Sequence, residues 1–408
     1  MSAIQYRYDR HRNIKKDKMI FILFLAIICC WPCKSLCADN EMPIIAYWGV
    51  PDWKTFDDDF RTFSECGFTV SIYPYKSLEA MVKACRTADK YGVKILGKCP
   101  EMASSPQKVA LALKKERGFF GYLMKDEPSL PEITQQQKNI ELLRSTDSTH
   151  LFYINMLPYY ADWTLTAAKA KNYEEYIRAA SRTSCQQLSF DYYPIVKKKI
   201  RDTWYYNLEL MRKESLRSGK PFWGFILSVP HVDYPQPTMG SLRLQAYANL
   251  AYGAQALQYF TYWTPDASKE YDFHDAPISP QGKKTKTYPL VQAMNNELKV
   301  VVRLFYGAKN FTVRHIVDIP MGTTQLTTAP ANLSSLKVKG KKGAIVSQFE
   351  KDNHLYLAIV NKNHLSTMTV QIKLLNDNPK HITKSLTEEA VKDKYTVQAG
   401  DLLLFRLK

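Results

Sequence analysis

The stretch Phe119-Phe120-Gly121-Tyr122-Leu123-Met124-Lys125-Asp126-Glu127-Pro128 runs an apolar, aromatic segment of strand length straight into two adjacent acids. Its first six residues suit a strand buried on both faces. The acids at its end have two readings. Asp-Glu-Pro-Ser could cap a following helix, since 131–143 opens on Pro and then turns amphipathic. Alternatively, burial and mutual repulsion raise the carboxyl pKa values against the opposing charge of Lys125. One acid then stays protonated near neutrality as a proton donor.

The same rhythm recurs on either side. Runs of this kind occupy 44–51, 68–75, 93–100, 150–158, 187–194, 222–230 and 256–265, which with 119–128 makes eight. Helical patterns fill the intervals: 78–91 with Gly92 as its stop, 131–143, 173–180, 241–253 and 287–306. Eight strand–helix units over about 260 residues match a (β/α)8 barrel. An open doubly wound sheet would want a Gly-rich phosphate loop after its first strand, and none is present. After Gly307 the segments shorten and alternate: 311–319, 344–349, 354–361, 367–374 and 401–408. The reading is α/β: a (β/α)8 TIM barrel over 39–307, followed by a small antiparallel β-sandwich over 308–408. The Lys/Gly stretch 337–342 reads as a hairpin connection.

Composition narrows the class. With 45% apolar and 23% charged residues over 408 positions, neither a disordered chain nor a disulfide-stapled miniature fits. Residues 1–38 read as a signal peptide. A basic stretch ending at Lys18 precedes the apolar run 19–31, which is short for a membrane span, and small residues near Cys37 and Ala38 offer a cleavage point. An exported protein, periplasmic, extracellular or at the cell surface, is expected, with any membrane anchoring confined to that segment. The segment holds seven bases and two acids, so the formal charge of +17 falls to +12 without it. No nucleic-acid motif accompanies the lysines. Cys66, Cys85, Cys99 and Cys185 lie beyond it in no metal-binding spacing, so neither a metal nor another cofactor is implied. A Cys66–Cys85 bridge is conceivable, and buried free thiols are the simpler state.

In a (β/α)8 barrel the site forms where strands meet their following loops. Those ends carry Tyr47 and Trp48; Tyr73 and Tyr75; Lys98 and Glu101; Asp126 and Glu127; Asn155; Asp191, Tyr192 and Tyr193; Ser228 and His231; Tyr262, Trp263 and Asp266. Carboxylates among flat aromatic rings suit a sugar. The rings stack on its C–H faces, one acid protonates the leaving oxygen, and a second group meets the oxocarbenium ion. The candidates for chemistry are Glu127, Asp126 and Asp191. Those for holding an oligo- or polysaccharide are Tyr47, Trp48, Asn155, Tyr192, His231, Tyr262 and Trp263. Of Tyr262 and Trp263, alternation directs one toward the ligand.

The segments 121–128, 189–194 and 251–263 resemble secreted bacterial glycoside hydrolases with a (β/α)8 barrel and a C-terminal β-sandwich. The resemblance implies an enzyme cleaving O-glycosidic bonds in a complex polysaccharide or host glycan, and leaves three mechanisms open. The clan related to β-galactosidases places an acid/base Glu after strand 4, which Glu127 matches. It places a nucleophilic Glu after strand 7, where 222–231 has none. Families 20 and 123, the substrate-assisted N-acetylhexosaminidases, use an adjacent Asp-Glu pair, which Asp126-Glu127 matches. Some α-glycosidase barrels would make Asp126 the nucleophile and Asp191 the acid. A glycan-binding barrel without catalysis is the alternative of a different class.

Overall fold

The computed structural model describes residues 41–52, 56–160, 162–376 and 378–408, and the expected signal segment 1–38 lies outside them. Eight parallel strands close a barrel in chain order: β1 (Ile44–Tyr47), β2 (Val70–Pro74), β3 (Lys94–Lys98), β4 (Phe119–Asp126), β5 (Leu151–Met156), β6 (Leu188–Phe190), β7 (Phe222–Leu227) and β8 (Ala256–Phe260). These are the eight runs read from the sequence. One face of each strand fills the interior, where Ile45, Val70, Ile72, Leu96, Leu123, Leu151, Tyr153 and Trp223 pack together. The other face meets the surrounding helices, through Ile44, Ala46, Phe68, Tyr122, Phe152, Ile154 and Tyr259. Burial on both faces is what makes these strands apolar throughout.

The helices end as their residues dictate. Ser77 accepts from Ala80 N at 3.1 Å to start the helix Leu78–Asp89, and Gly92 stops the chain beyond it at φ 68°. Among the described residues, no helix is long and apolar enough to cross a membrane. The four cysteines among the described residues, Cys66, Cys85, Cys99 and Cys185, are free and buried.

Two antiparallel sheets follow the barrel. The larger runs Lys309–Ile316, Ala344–Lys351, His354–Asn361, Leu402–Arg406, Lys380–Ile382 and Glu388–Glu389 in spatial order, and the smaller Leu333–Lys339, Met368–Leu374 and Lys394–Val397. Strand His354–Asn361 shows why both layers are needed. Leu357 and Ile359 join the core between the sheets, while Ala358 and Val360 join the barrel's helical layer. Lys337–Lys342 is not simply a connection. Lys337 and Lys339 belong to a strand and pair with Gln371 and Thr369, and only the residues after it turn. The contact with the barrel includes Ser347 Oγ donating to Ala251 O at 2.7 Å and the Tyr252 hydroxyl 2.8 Å from His315 Nε2. Arg243, Glu297, Lys384 and Asp401 add a chain of ion pairs, with 2.6 Å between Arg243 and Glu297 and 2.6 Å between Lys384 and Asp401.

Candidate active site

A one-residue irregularity in β4 aims the acids. Leu123 pairs with Tyr153, but Lys125, not Met124, pairs with Ile154, so Met124 is a bulge. Regular alternation from Leu123 would turn Lys125 into the barrel. The bulge instead sets Asp126 opposite Asn155, on the inward face. Lys125 points to the helix behind, 3.1 Å from Glu132. That helix, Leu130–Arg144, is started by Ser129 and Glu132 in a reciprocal capping box, so the acids at 126 and 127 are not needed as its cap. Glu127 leaves the strand at φ 44°, with its N–H on Asn155 O at 2.8 Å.

Asn155 ties the carboxylates together. Its Nδ2 donates to Asp126 Oδ1 and to Asp191 Oδ1, at 3.0 Å each. Its Oδ1 accepts from Ser189 Oγ at 2.9 Å, which fixes which side of the amide faces the acids. Ser189 is held in turn by Gln258 Nε2 at 2.8 Å and by the Tyr153 hydroxyl at 2.9 Å, all within the barrel. The Tyr47 hydroxyl bonds Asp126 as well. Glu127 and Asp191 lie close enough that each acts on the other's ionisation.

The three acids cluster at one end of the barrel, the cup, where β4 and β6 finish. Water reaches the side chains of Asp126 and Glu127, while Asp191 is half-buried beneath. Yet the rim encloses the cup closely enough that desolvation dominates all three. Burial, then the charge of Asp126, lifts the Glu127 carboxyl from its ordinary 4.5 to about 7, against the Asp191 hydrogen bond. Burial and the two neighbouring acids push Asp191 well up, with Asn155 opposing. Burial also raises Asp126, but Asn155 and Tyr47 favour its ionised form, aided by Lys125 and Lys98.

Aromatic rings wall the cup. Tyr47 lies 6.0 Å from Phe225 and 6.1 Å from Phe260 between ring centroids, and Tyr193 lies 5.3 Å from Phe260. His231 packs on Tyr234 at 4.7 Å and Phe273 at 4.6 Å, completing that wall. Its Nδ1 meets the Val229 carbonyl oxygen at 3.1 Å, and burial lowers its pKa, against the Val229 hydrogen bond. Trp48, half-buried, sits against Tyr73 at 5.4 Å just after β1.

Three of the expected sugar contacts lie elsewhere. Tyr192 is 1% exposed, with its hydroxyl 2.6 Å from Thr203 Oγ1. Inward positions alternate through Ser189 and Asp191 to Tyr193, so Tyr192 turns to the helices. Tyr262 is also 1% exposed, edge-on to Phe63 at 4.8 Å and Phe68 at 5.5 Å in the outer core. Trp263 is buried, its backbone N–H donating to Trp48 O at 3.0 Å. Tyr193 and Phe260, half-buried, stand on the inward side instead, with the buried Phe225 packed behind them, and period-2 counting from Ser189, Gln258 and Trp223 would have found all three. Glu101 serves the helix start instead, accepting from Leu78 N at 3.1 Å. The end of β7 offers Leu227 and Ser228, the latter donating to Thr261 O at 2.7 Å, and no carboxylate.

Comparisons with known proteins agree with this architecture. A family model described as beta-galactosidase, Glyco_hydro_42, matches residues 140–301, which include Asn155 and Asp191. This match carries the likeness to the β-galactosidase-like clan. No curated protein sequence matches the chain. A beta-galactosidase from Bacillus circulans sp. alkalophilus superposes with a TM-score of 0.59 at 11% identity, covering 90% of this chain and 100% of that one. A glycoside hydrolase family 5 structure from Bacteroides vulgatus gives 0.57 at 11% identity, covering 89% and 88%. The chain spans 60% of the beta-galactosidase from the psychrophilic Marinomonas ef1, with a TM-score of 0.49 at 9% identity over 64% of this chain. At these identities the structural likeness is one of fold.

Proposed function

We propose that the protein is a glycoside hydrolase in which Glu127 protonates the departing glycosidic oxygen and Asp126 meets the developing oxocarbenium ion. One observation carries this reading: a single amide nitrogen, that of Asn155, holds two inward-facing carboxylates beneath an open aromatic cup. Glu127 is the acid because it is open to solvent and raised to about 7, while Asp191 is half-buried below. Asp126 is the fixed charge because it accepts from two neutral donors, Asn155 and Tyr47. Tyr47, Tyr193 and Phe260 offer ring faces to the sugar. The family match favours a β-galactoside as the first substrate to try. Export rests on the sequence of residues 1–38 alone.

A second reading follows from the bare end of β7. Lacking a carboxylate there, the enzyme would use the acetamido oxygen of an N-acetylhexosaminide as its nucleophile, oriented by Asp126.

Aryl β-galactosides and aryl N-acetyl-β-hexosaminides separate the two. Each should be tried with a poor leaving group (phenol) and a good one (2,4-dinitrophenol) on wild type and Glu127→Gln. A general acid contributes roughly 10²–10⁴-fold. The variant should lose that much on the phenyl substrate and little on the dinitrophenyl one. The fall in wild-type kcat/KM above pH about 7 should vanish with it. Equal losses on both substrates would remove Glu127 as donor. Glycan binding without turnover by wild type would make the cup a binding site only.

A further inference from the structure

A pocket of about 370 Å³ lies where the barrel rim meets the β-sandwich. Arg201, Asp202 and Tyr205 line it from the barrel, and Asp318, Lys342 and Lys362 from the other side. Lys362 is only 2% exposed. Its ammonium donates to the carbonyl oxygen of Asp318 and lies 5.8 Å from the Tyr205 ring centroid. The Asp318 carboxylate is engaged by Lys342 at 3.3 Å instead. The hydroxyl of Tyr205 is buried with no hydrogen-bond partner among the described residues, and so is Nε of Arg201. Burial lowers Lys362 to about 8, with the charge of Asp318 opposing.

Buried donors without acceptors are costly to a fold, and a buried cation more so. Here Tyr205 with its unused hydroxyl, Arg201 with its unused Nε–H and Lys362 held by one carbonyl are all residues of a single concavity, the two unused donors lying just beneath its surface. An anion with several acceptor oxygens satisfies all three. The first turn of the helix Trp204–Ser218, which carries Tyr205, adds its positive end.

The pocket shares a wall with the active cup. A tight ribbon pairing Ile195–Val196 with Lys199–Ile200 follows β6 and delivers Arg201. The Arg201 guanidinium stands 4.5 Å from the Tyr160 ring centroid, and its Nη2 donates to the Tyr234 hydroxyl at 3.3 Å. Tyr160 in turn accepts from the N–H of Tyr193, whose ring lines the cup. We propose that the pocket is an accessory subsite for an anionic substituent, a carboxylate or a sulfate ester, on a glycan whose neighbouring sugar occupies the cup. The anion site stands on its own observations, whereas the glycan that bears the anion rests on the glycoside hydrolase reading.

The test is a titration of the purified protein with sodium sulfate, and separately with sodium acetate, at constant ionic strength. The lysine side-chain ¹⁵N signals are followed. One ammonium signal should move saturably and be missing from Lys362→Met. The affinity should fall at least fivefold in Tyr205→Phe. That variant loses no internal hydrogen bond, so it tests the site even where Lys362→Met fails to fold. Shifts linear in salt, or affinity unchanged in Tyr205→Phe, would overturn the site. Acidic oligosaccharides compared with their desulfated and carboxyl-reduced forms then show which group is bound, and Tyr205→Phe should weaken only the charged ones. Saturable sulfate binding without turnover of any glycoside keeps the anion site and removes the hydrolase. Turnover without saturable binding does the reverse.

Discussion

Asn155 divides one amide nitrogen between two carboxylates, and much of the chemistry follows from that division. Without it, Asp126 keeps Tyr47 and the more distant Lys125 and Lys98 to favour its charge, and Asp191 loses its main opposing hydrogen bond. Asn155→Ala should therefore move the acidic limb of the kcat/KM profile to higher pH and lower the plateau roughly 10- to 100-fold, the usual range for a lost orienting group. Ser189→Ala should act in the same direction through Asn155, because it frees the amide to rotate. An unshifted limb in both variants would show that the amide is scaffolding only. Glu127 makes a separate claim on stability. Its pKa rises from 4.5 to about 7 on folding, so the native state binds this proton more tightly than the unfolded chain. The resulting stabilisation is complete below about pH 4.5 and is lost as pH rises through about 7. Glu127→Gln should accordingly melt higher than wild type at pH 8 and no higher at pH 4, as scanning calorimetry would show.

At the scale of the element, the strands of the barrel were legible because each is buried on both faces and so reads as an unbroken apolar run. The direction in which each strand aims its last residues was less legible. The bulge at Met124 leaves no trace in the sequence, since Leu123 and Met124 are both buried and apolar. Strand β6 was readable in principle: Ser189 and Asp191 mark the inward side, which makes Tyr193 the cup residue. Tyr193→Ala should raise KM about tenfold, equivalent to about 1.4 kcal/mol. Tyr192→Phe should leave KM alone while costing about 1 kcal/mol for the lost bond to Thr203. Steady-state kinetics beside urea unfolding tests both, and the reverse pattern would restore Tyr192 to the site. Past Phe260 the chain leaves the strand, and Tyr262 and Trp263 return to the core, a change of course that alternation does not foresee. In the smaller sheet, the strands at Leu333–Lys339 and Lys394–Val397 expose one face and carry lysines there, so their composition resembles that of connections.

Across the whole molecule, the β-sandwich is fastened to the barrel by charge as well as by packing. Glu297 receives Arg243 and Lys384 while the Tyr247 hydroxyl donates to it, and Asp401 meets the same two cations. Removing Glu297 leaves Arg243 and Lys384 to share Asp401 alone in a partly buried setting. Glu297→Ala should cost about 3 kcal/mol, read as a lower urea midpoint at unchanged slope. A cost under about 0.5 kcal/mol would mean that water already screens the cluster. The cysteines add a different handle on this two-part body. Cys66, Cys85, Cys99 and Cys185 all sit within the barrel, and residues 308–408 contain none. Burial holds each thiol above its ordinary pKa, so an alkylating reagent meets little thiolate until the surrounding helices part. In a chain that starts at residue 39, these four thiols thus form a built-in clock. The pace at which that chain gains mass from an alkylating tag records how often the barrel alone opens, whatever the sheets beside it are doing.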